Sequence, residues 1–386
     1  MEQYELIAST TFGVEAIVKR ELIALGYEVT ATTNGKVTFL SDAQGIARAN
    51  LWLRTADRVL LKVGEFTAET FDELFDQTKE LPWEKFIPVD GKFTVNGKSV
   101  KSKLFSISDC QAIVKKSIVE KLKSVHNVDW FEEDGASFGV LVSILNDVAT
   151  ISIDTSGIGL HKRGYRIRSV EAPLKETLAA ALVLLSYWNK DRVLYDVFCG
   201  SGTIPIEAAM IGRNIAPGLK VDFACKYWPL IKKEYWEEEI NKAKQAIDYD
   251  TKINIYASDL DEQAIEAAKT NAEAAGVSEC ITFAKSDFKA QYYEQEYGVL
   301  ISNPPYGERL MDEFAIKQLY RTMGNIFNKL TTWSVYIITS FEGFENLFER
   351  KADRVRKLFN GNIPTRYYQY YGPRPPLMEY KSEDNE

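Results

Sequence analysis

Apolar and polar positions follow two different rhythms along this chain. In the second half, short apolar runs at 193–198, 253–258, 281–284 and 298–302 alternate with stretches whose apolar residues recur every three to four positions, such as Ile204 to Met210 and Gln263 to Ala275. Short runs of this kind read as buried strands and the longer periodic stretches as helices, so the order predicts parallel βαβ units in a doubly wound sheet. A helix over 314–330, a strand at 334–339 and an alternating segment at 365–371, placed as an edge strand before Pro373, Pro375 and Pro376, complete this region. The first 165 residues instead read strand, helix, hairpin, helix, strand, with Asn34-Gly35 as the hairpin turn. That β-α-β-β-α-β order predicts a small ferredoxin-like unit over 1–66. A helix over 70–81, a strand at 93–95, a helix over 108–123 and strands at 140–145 and 148–154 follow. The expected fold class is therefore α/β, a Rossmann-like, mostly parallel doubly wound sheet preceded by an α+β region.

The first four predicted strands of the second half each end on a residue fit for chemistry: Asp196, Asp259, Asp287 and Asn303. Ligands of doubly wound sheets collect beyond the carboxyl ends of the strands. The first strand runs into Cys199-Gly200-Ser201-Gly202-Thr203 and then a helix, the arrangement that cradles nucleotides. Pro205 stands where a dinucleotide fingerprint has glycine or alanine, which argues against a nicotinamide or flavin dehydrogenase; it suits the first turn of a helix. Asp261 reads as a helix N-cap. About 100 residues after the glycine loop comes Asn303-Pro304-Pro305-Tyr306. The two prolines fix an extended exit from the strand. The Asn303 side-chain carbonyl and the Pro304 backbone carbonyl can accept from an exocyclic amino group, and Tyr306 offers a face for stacking. A proline-rich turn is the plainer reading of the same four residues.

The tetrapeptide resembles the (Asn/Asp)-Pro-Pro-Tyr motif of amino methyltransferases, and 196–203 resembles the first motif of class I methyltransferases. The resemblance implies S-adenosylmethionine as cofactor. Its methionine end would lie against Asp196 and the loop residues Cys199, Gly200, Ser201, Gly202 and Thr203. Asp259 would accept from the ribose hydroxyls and Asp287 from the adenine amino group, with Phe288 near that ring. Asn303, Pro304 and Tyr306 would be the catalytic residues. The stretch from Thr70 to Asp154 resembles a THUMP domain, a module of RNA-modifying enzymes. His161-Lys162-Arg163-Gly164-Tyr165-Arg166-Ile167-Arg168, with Ala172 to Ala180, looks like the junction of the THUMP-containing guanine-N2 methyltransferases of large-subunit (23S) ribosomal RNA. This implies a ferredoxin-like segment 1–66, a THUMP RNA-binding domain 67–160, a junction 161–176 and a methyltransferase domain 177–386. It also implies that Leu174, Lys175 and Glu176 border the methionine end. Some members of that family carry a second methyltransferase domain, for which 386 residues leave no room.

Charge and composition modify this picture little. The net charge of −8 is unusual for an RNA binder, but its distribution matters more than its sum. Lys92, Lys98, Lys101 and Lys103 form one run without intervening acid, and Lys162, Arg163, Arg166 and Arg168 another. Both are expected to face RNA. Four scattered cysteines give neither metal spacing nor a disulfide framework, and no signal peptide or membrane-length apolar run occurs, so a cytoplasmic protein without a metal is expected. Two histidines without a matching nucleophile leave hydrolase chemistry little support. Adenine-N6 methylation of RNA or DNA, and a non-catalytic RNA-binding assembly factor with a vestigial cofactor fold, remain the alternatives to guanine-N2 methylation.

Overall fold

The computed structural model describes residues 2–170, 173–306 and 312–376. Ala172, part of the junction motif, lies outside them. By their contacts the residues form two compact units: one of Met1–Tyr165, Glu176–Ala181 and Asn214–Asp248, the other of Arg166–Lys175, Leu182–Arg213 and Tyr249–Glu386. Two segments from beyond the junction group with the amino-terminal residues.

The first unit begins β1 (Tyr4–Ser9), α1 (Glu15–Ala24), β2 (Glu28–Thr33), β3 (Lys36–Ser41), α2 (Ala43–Trp52) and β4 (Arg58–Thr67). It continues α3 (Phe71–Lys79), β5 (Lys92–Val100), α4 (Ile107–His126), β6 (Ser137–Leu145) and β7 (Val148–Asp154). Local chemistry sets the boundaries. Thr70 and Glu73 form a reciprocal capping box at the start of α3. The helix α1 buries Ile17, Val18 and Leu22, the stripe expected of an amphipathic helix on a sheet. All seven strands share one sheet in the order β2-β3-β1-β4-β7-β6-β5. The ten-residue β4 joins its two halves: its first residues pair with β1 and most of its length with β7. The later segment 214–248 packs on this unit. Trp228 stacks on Phe138 at 4.7 Å and donates to the Ser137 carbonyl. Arg48 makes a bidentate pair with Glu239, itself 1% exposed.

The boundary between the units falls within α5 (Glu176–Leu185). The second unit then contains β8 (Leu194–Asp196) and α6 (Thr203–Gly212), and after α7 (Lys233–Gln245) of the first unit come β9 (Ile255–Asp259), α8 (Glu262–Ala275) and β10 (Ile281–Lys285). It ends β11 (Val299–Ser302), α9 (Glu313–Phe327), β12 (Ser334–Thr339), α10 (Phe344–Phe348), β13 (Arg354–Asn360) and β14 (Ile363–Tyr370). The sheet order is β10-β9-β8-β11-β12-β14-β13. The first five are mutually parallel, while β14 runs antiparallel to β12 and β13. Successive connections from β8 lead outward to β10, and the chain then returns to β11 on the other side of β8. The β8–β11 gap is therefore the topological switch point, where the carboxyl ends open a crevice.

One strand departs from expectation. The segment expected at the edge is β14, which is interior, with Tyr367, Tyr368, Gln369 and Tyr370 all buried. The edge is β13, whose sequence Arg354-Val355-Arg356-Lys357 is too rich in cations to announce a strand. Charge on an exposed edge discourages pairing with other chains.

Candidate active site

The carboxyl ends of β8, β9 and β11 are tied together by side chains. Asp196, 1% exposed at the end of β8, accepts from Ser302 Oγ at 2.7 Å and from the Phe198 amide at 3.3 Å. Ser302 Oγ accepts in turn from the Val197 amide at 3.0 Å, so this hydroxyl staples the two strands at the switch point. Burial pushes the Asp196 carboxyl up to about 7, against the two hydrogen bonds that oppose the shift; the charge of Asp259 adds to it. At the end of β9, Asp259 accepts from the Gly200 amide with one oxygen and from the Asp261 amide with the other, both at 3.0 Å. Asp261 itself caps α8 through the Gln263 amide, the role its position predicted.

The loop between β8 and α6 is held closely. The Cys199 amide donates to the Ser258 carbonyl, and Gly202 stands at the N-cap of α6 with φ +83°. A Cβ on Gly202 would come within 3.0 Å of Ala268 Cβ on α8, so glycine serves both the left-handed turn and the close approach of two helices. The Cys199 thiol is buried and pushed well above its ordinary range, chiefly by desolvation, which leaves it no part as a thiolate. Asp287 follows β10 and accepts from the Lys289 amide, with the Lys289 ammonium 3.4 Å away. Phe288 is buried against Phe198 and Phe327.

Across the switch point, Asn303 leaves β11. Its Oδ1 is buried and has no hydrogen-bond partner among the described residues. A buried amide oxygen without a donor costs about 1–3 kcal/mol, and a donor brought by a ligand would satisfy it. Its neighbours are fixed. The Pro305 carbonyl accepts from the Tyr320 hydroxyl at 3.0 Å, and Tyr320 is linked to Thr339 at 2.8 Å. Pro304 is buried, and the Tyr306 hydroxyl accepts from Asn360 Nδ2 at 3.2 Å.

The remaining expected residues are distributed differently. Lys175 is the N-cap residue of α5, and Glu176, buried in its first turn, groups with the amino-terminal unit. Of the basic residues, Lys98, Lys101, Lys162 and Arg168 are exposed, and Lys103, also exposed, pairs with Glu69. Arg163 is not on the surface. It is 3% exposed and its guanidinium donates to the carbonyls of Leu160 and Arg54. Arg166 turns to the glycine loop: Nη1 donates to Ser201 Oγ and Nη2 to Thr203 Oγ1, both at 3.1 Å. Sequence reasoning overlooked Ser302 and Asn271, whose only local signal is a polar residue inside an otherwise apolar pattern.

The site's donors and acceptors fit a cofactor that carries an ammonium and ribose hydroxyls. Carboxylates end β8 and β9, free amide groups begin α6, and glycine clears the approach to them. No group of three or more His, Cys, Asp or Glu among the described residues could hold a metal ion. No helix among them is long and apolar enough to cross a membrane.

Comparison with known proteins follows the same lines. Residues 163–369 match the UPF0020 model, described as an RMKL-like methyltransferase domain. Residues 5–60 match the RlmL ferredoxin-like domain and 68–154 the THUMP domain. The chain is 52% identical over 378 residues to a Bacillus subtilis (strain 168) protein named "Putative RNA methyltransferase YpsC", covering 97% of this chain and 98% of that one. It is 30% identical to the ribosomal RNA large subunit methyltransferase K/L of Marinomonas sp. (strain MWYL1), covering 95% of this chain but spanning about half (52%) of that relative. A crystal structure from Listeria monocytogenes, described as a predicted N6-adenine-specific DNA methylase, superposes with a TM-score of 0.92 at 51% identity, covering 97% of each chain. The crystal structure of SMU.472, "a putative methyltransferase complexed with SAH", superposes with a TM-score of 0.92 at 43% identity, over 97% of this chain and all of the other. Joined to a ferredoxin-like and THUMP amino-terminal region, this chain belongs to the RMKL-like methyltransferase family and uses S-adenosylmethionine as its cofactor.

Proposed function

We propose that the protein methylates the exocyclic N2 amino group of a guanine in large-subunit (23S) ribosomal RNA. The observation that carries this reading is Asn303 Oδ1, a buried acceptor at the switch point with no partner among the described residues, followed by Pro304-Pro305-Tyr306. S-adenosylmethionine supplies the methyl group on a sulfonium that is already a good leaving group. Asp196 and the 199–203 loop would hold its methionine end, and Asp259 its ribose hydroxyls. Asp287 would accept from its adenine amino group. The protein's task is then alignment, because a base amino nitrogen has its lone pair delocalised into the ring. Asn303 Oδ1 and the Pro304 carbonyl, accepting the two amino hydrogens, favour a pyramidal nitrogen and free that lone pair. Tyr306 stacks on the extruded base, its ring steadied through Asn360. RNA as substrate is supported by the THUMP match and by the name of the K/L relative.

Asn303→Ala tests the chemistry. The variant is expected to lose about 10²–10³ in methylation rate while binding S-adenosylhomocysteine and RNA as the parent does, since the contact strengthens only as the nitrogen becomes tetrahedral. Wild-type turnover in this variant would remove Asn303 from catalysis. Mass spectrometry of nucleosides from treated 23S RNA is expected to show N2-methylguanosine. N6-methyladenosine instead would favour the adenine reading, with which the description of the Listeria monocytogenes structure agrees.

A further inference from the structure

The junction segment 166–170 and the glycine loop meet through two polar side chains that no role yet accounts for. Arg166 reaches Ser201 Oγ at 3.1 Å, Thr203 Oγ1 at 3.1 Å and the Leu174 carbonyl at 2.9 Å. Asn271, 1% exposed in α8, uses both ends of its amide. Its Oδ1 accepts from the amides of Ile167 at 2.8 Å and Arg168 at 3.0 Å. Its Nδ2 donates to the Arg168 carbonyl at 2.9 Å and the Ser201 carbonyl at 3.1 Å. Val170 then comes within 3.6 Å of the Cβ position of Gly200. One loop is thus gripped from two sides: its hydroxyls by a guanidinium from the junction, its Ser201 carbonyl by an amide from α8. A buried amide making four hydrogen bonds is satisfied in both its donors and its acceptor, and such a network fixes one geometry rather than several.

We propose that Arg166 and Asn271 are a positioning pair: they clamp the junction segment onto the loop 199–203 and hold that loop in the shape that receives the methionine end of S-adenosylmethionine. Neither needs to touch the cofactor. The pair acts by preorganisation, so its loss leaves a loop that must be ordered at the moment of binding. Arg166 therefore serves the cofactor side of the reaction, and a lysine cannot replace it, because an ammonium lacks the planar fork that reaches two hydroxyls and a carbonyl together. The inference rests on the assignment of the loop as the cofactor site.

The test is calorimetric binding of S-adenosylhomocysteine to the full chain, with RNA binding measured at several salt concentrations. Arg166→Ala and Arg166→Lys are each expected to weaken the nucleoside about tenfold or more, with the salt slope for RNA unchanged. Asn271→Ala is expected to do the same, and the double variant to lose less than the product of the two, since both act on one loop. Melting temperature checks that each variant is folded; should Asn271→Ala unfold, Arg166→Lys carries the test alone. Parental nucleoside affinity in Arg166→Lys and Arg166→Ala, with Asp259→Ala weakened, would overturn the clamp and leave the cofactor site standing. Parental affinity in all three would overturn the site assignment itself. A flattened salt slope in Arg166→Ala with unchanged nucleoside affinity would return this residue to the RNA face.

Discussion

Burial lifts the Asp196 carboxyl to about 7, so near neutral pH the folded protein holds this group between its two charge states. An unfolded aspartate ionises near 3.9. The stability that Asp196 contributes is therefore fully present below that pH and is lost as pH rises through about 7. Cofactor binding has the opposite sign under the proposed assignment, because an ammonium beside Asp196 requires the carboxylate. Affinity for S-adenosylhomocysteine is expected to fall about tenfold between pH 8 and pH 6, and Asp196→Asn to bind weakly with a flat profile over that range. Calorimetry at constant ionic strength measures both, and a wild-type profile as flat as the variant's would detach Asp196 from the ammonium. The candidate residues at strand ends stand out in the sequence because each follows an apolar run and carries a polar group. The orientation of the basic residues of the junction does not. A run of cations in a sequence does not say which guanidinium turns inward, and Arg163 and Arg166 both do so, toward carbonyls and hydroxyls.

Among the elements, β14 and β13 show why patterning misleads where a sheet is covered on both faces. Tyr367 and Gln369 reach the carbonyls of Leu182 and Leu185 on one side, while Tyr368 and Tyr370 join Phe344 and Phe348 on the other. The alternation along 365–371 predicts an edge strand; the polar tips of tyrosine and glutamine instead allow both faces to be buried. Removing the ring in Tyr368→Ala should cost about 3–5 kcal/mol. Val355→Ala, at a 42%-exposed position of the true edge, should cost well under 1 kcal/mol, as surface changes usually do. Denaturant unfolding of the two variants compares them directly. Comparable losses would mean that β13 contributes as much to the core as its neighbour.

At the scale of the molecule, gripping RNA and transferring a methyl group should be separable. Lys98, Lys101 and Lys162 are exposed and belong to the amino-terminal unit. Replacing all three by alanine should lower the slope of log affinity against log salt by about 2 to 3, with cofactor affinity unchanged. An unaltered slope would mean that these lysines meet solvent only. The sequence changes rhythm near residue 165, whereas the return of 214–248 to the first unit depends on contacts such as Trp228 with Phe138, which no local pattern encodes. The long β4 carries a practical consequence. Family models separate the ferredoxin-like and THUMP stretches between residues 60 and 68, yet Leu60 to Thr67 is the run that pairs with β7 in a single sheet. Cloning either stretch alone would cut through this seam and bare an unpaired ladder of amides and carbonyls, the surface on which chains aggregate. A fragment ending at 66 should precipitate or recruit a partner strand, whereas the full chain keeps the ladder whole; amide exchange along 60–66, slow in the full chain and fast in the fragment, would report where heredity's modules and the unit of cooperative folding part company.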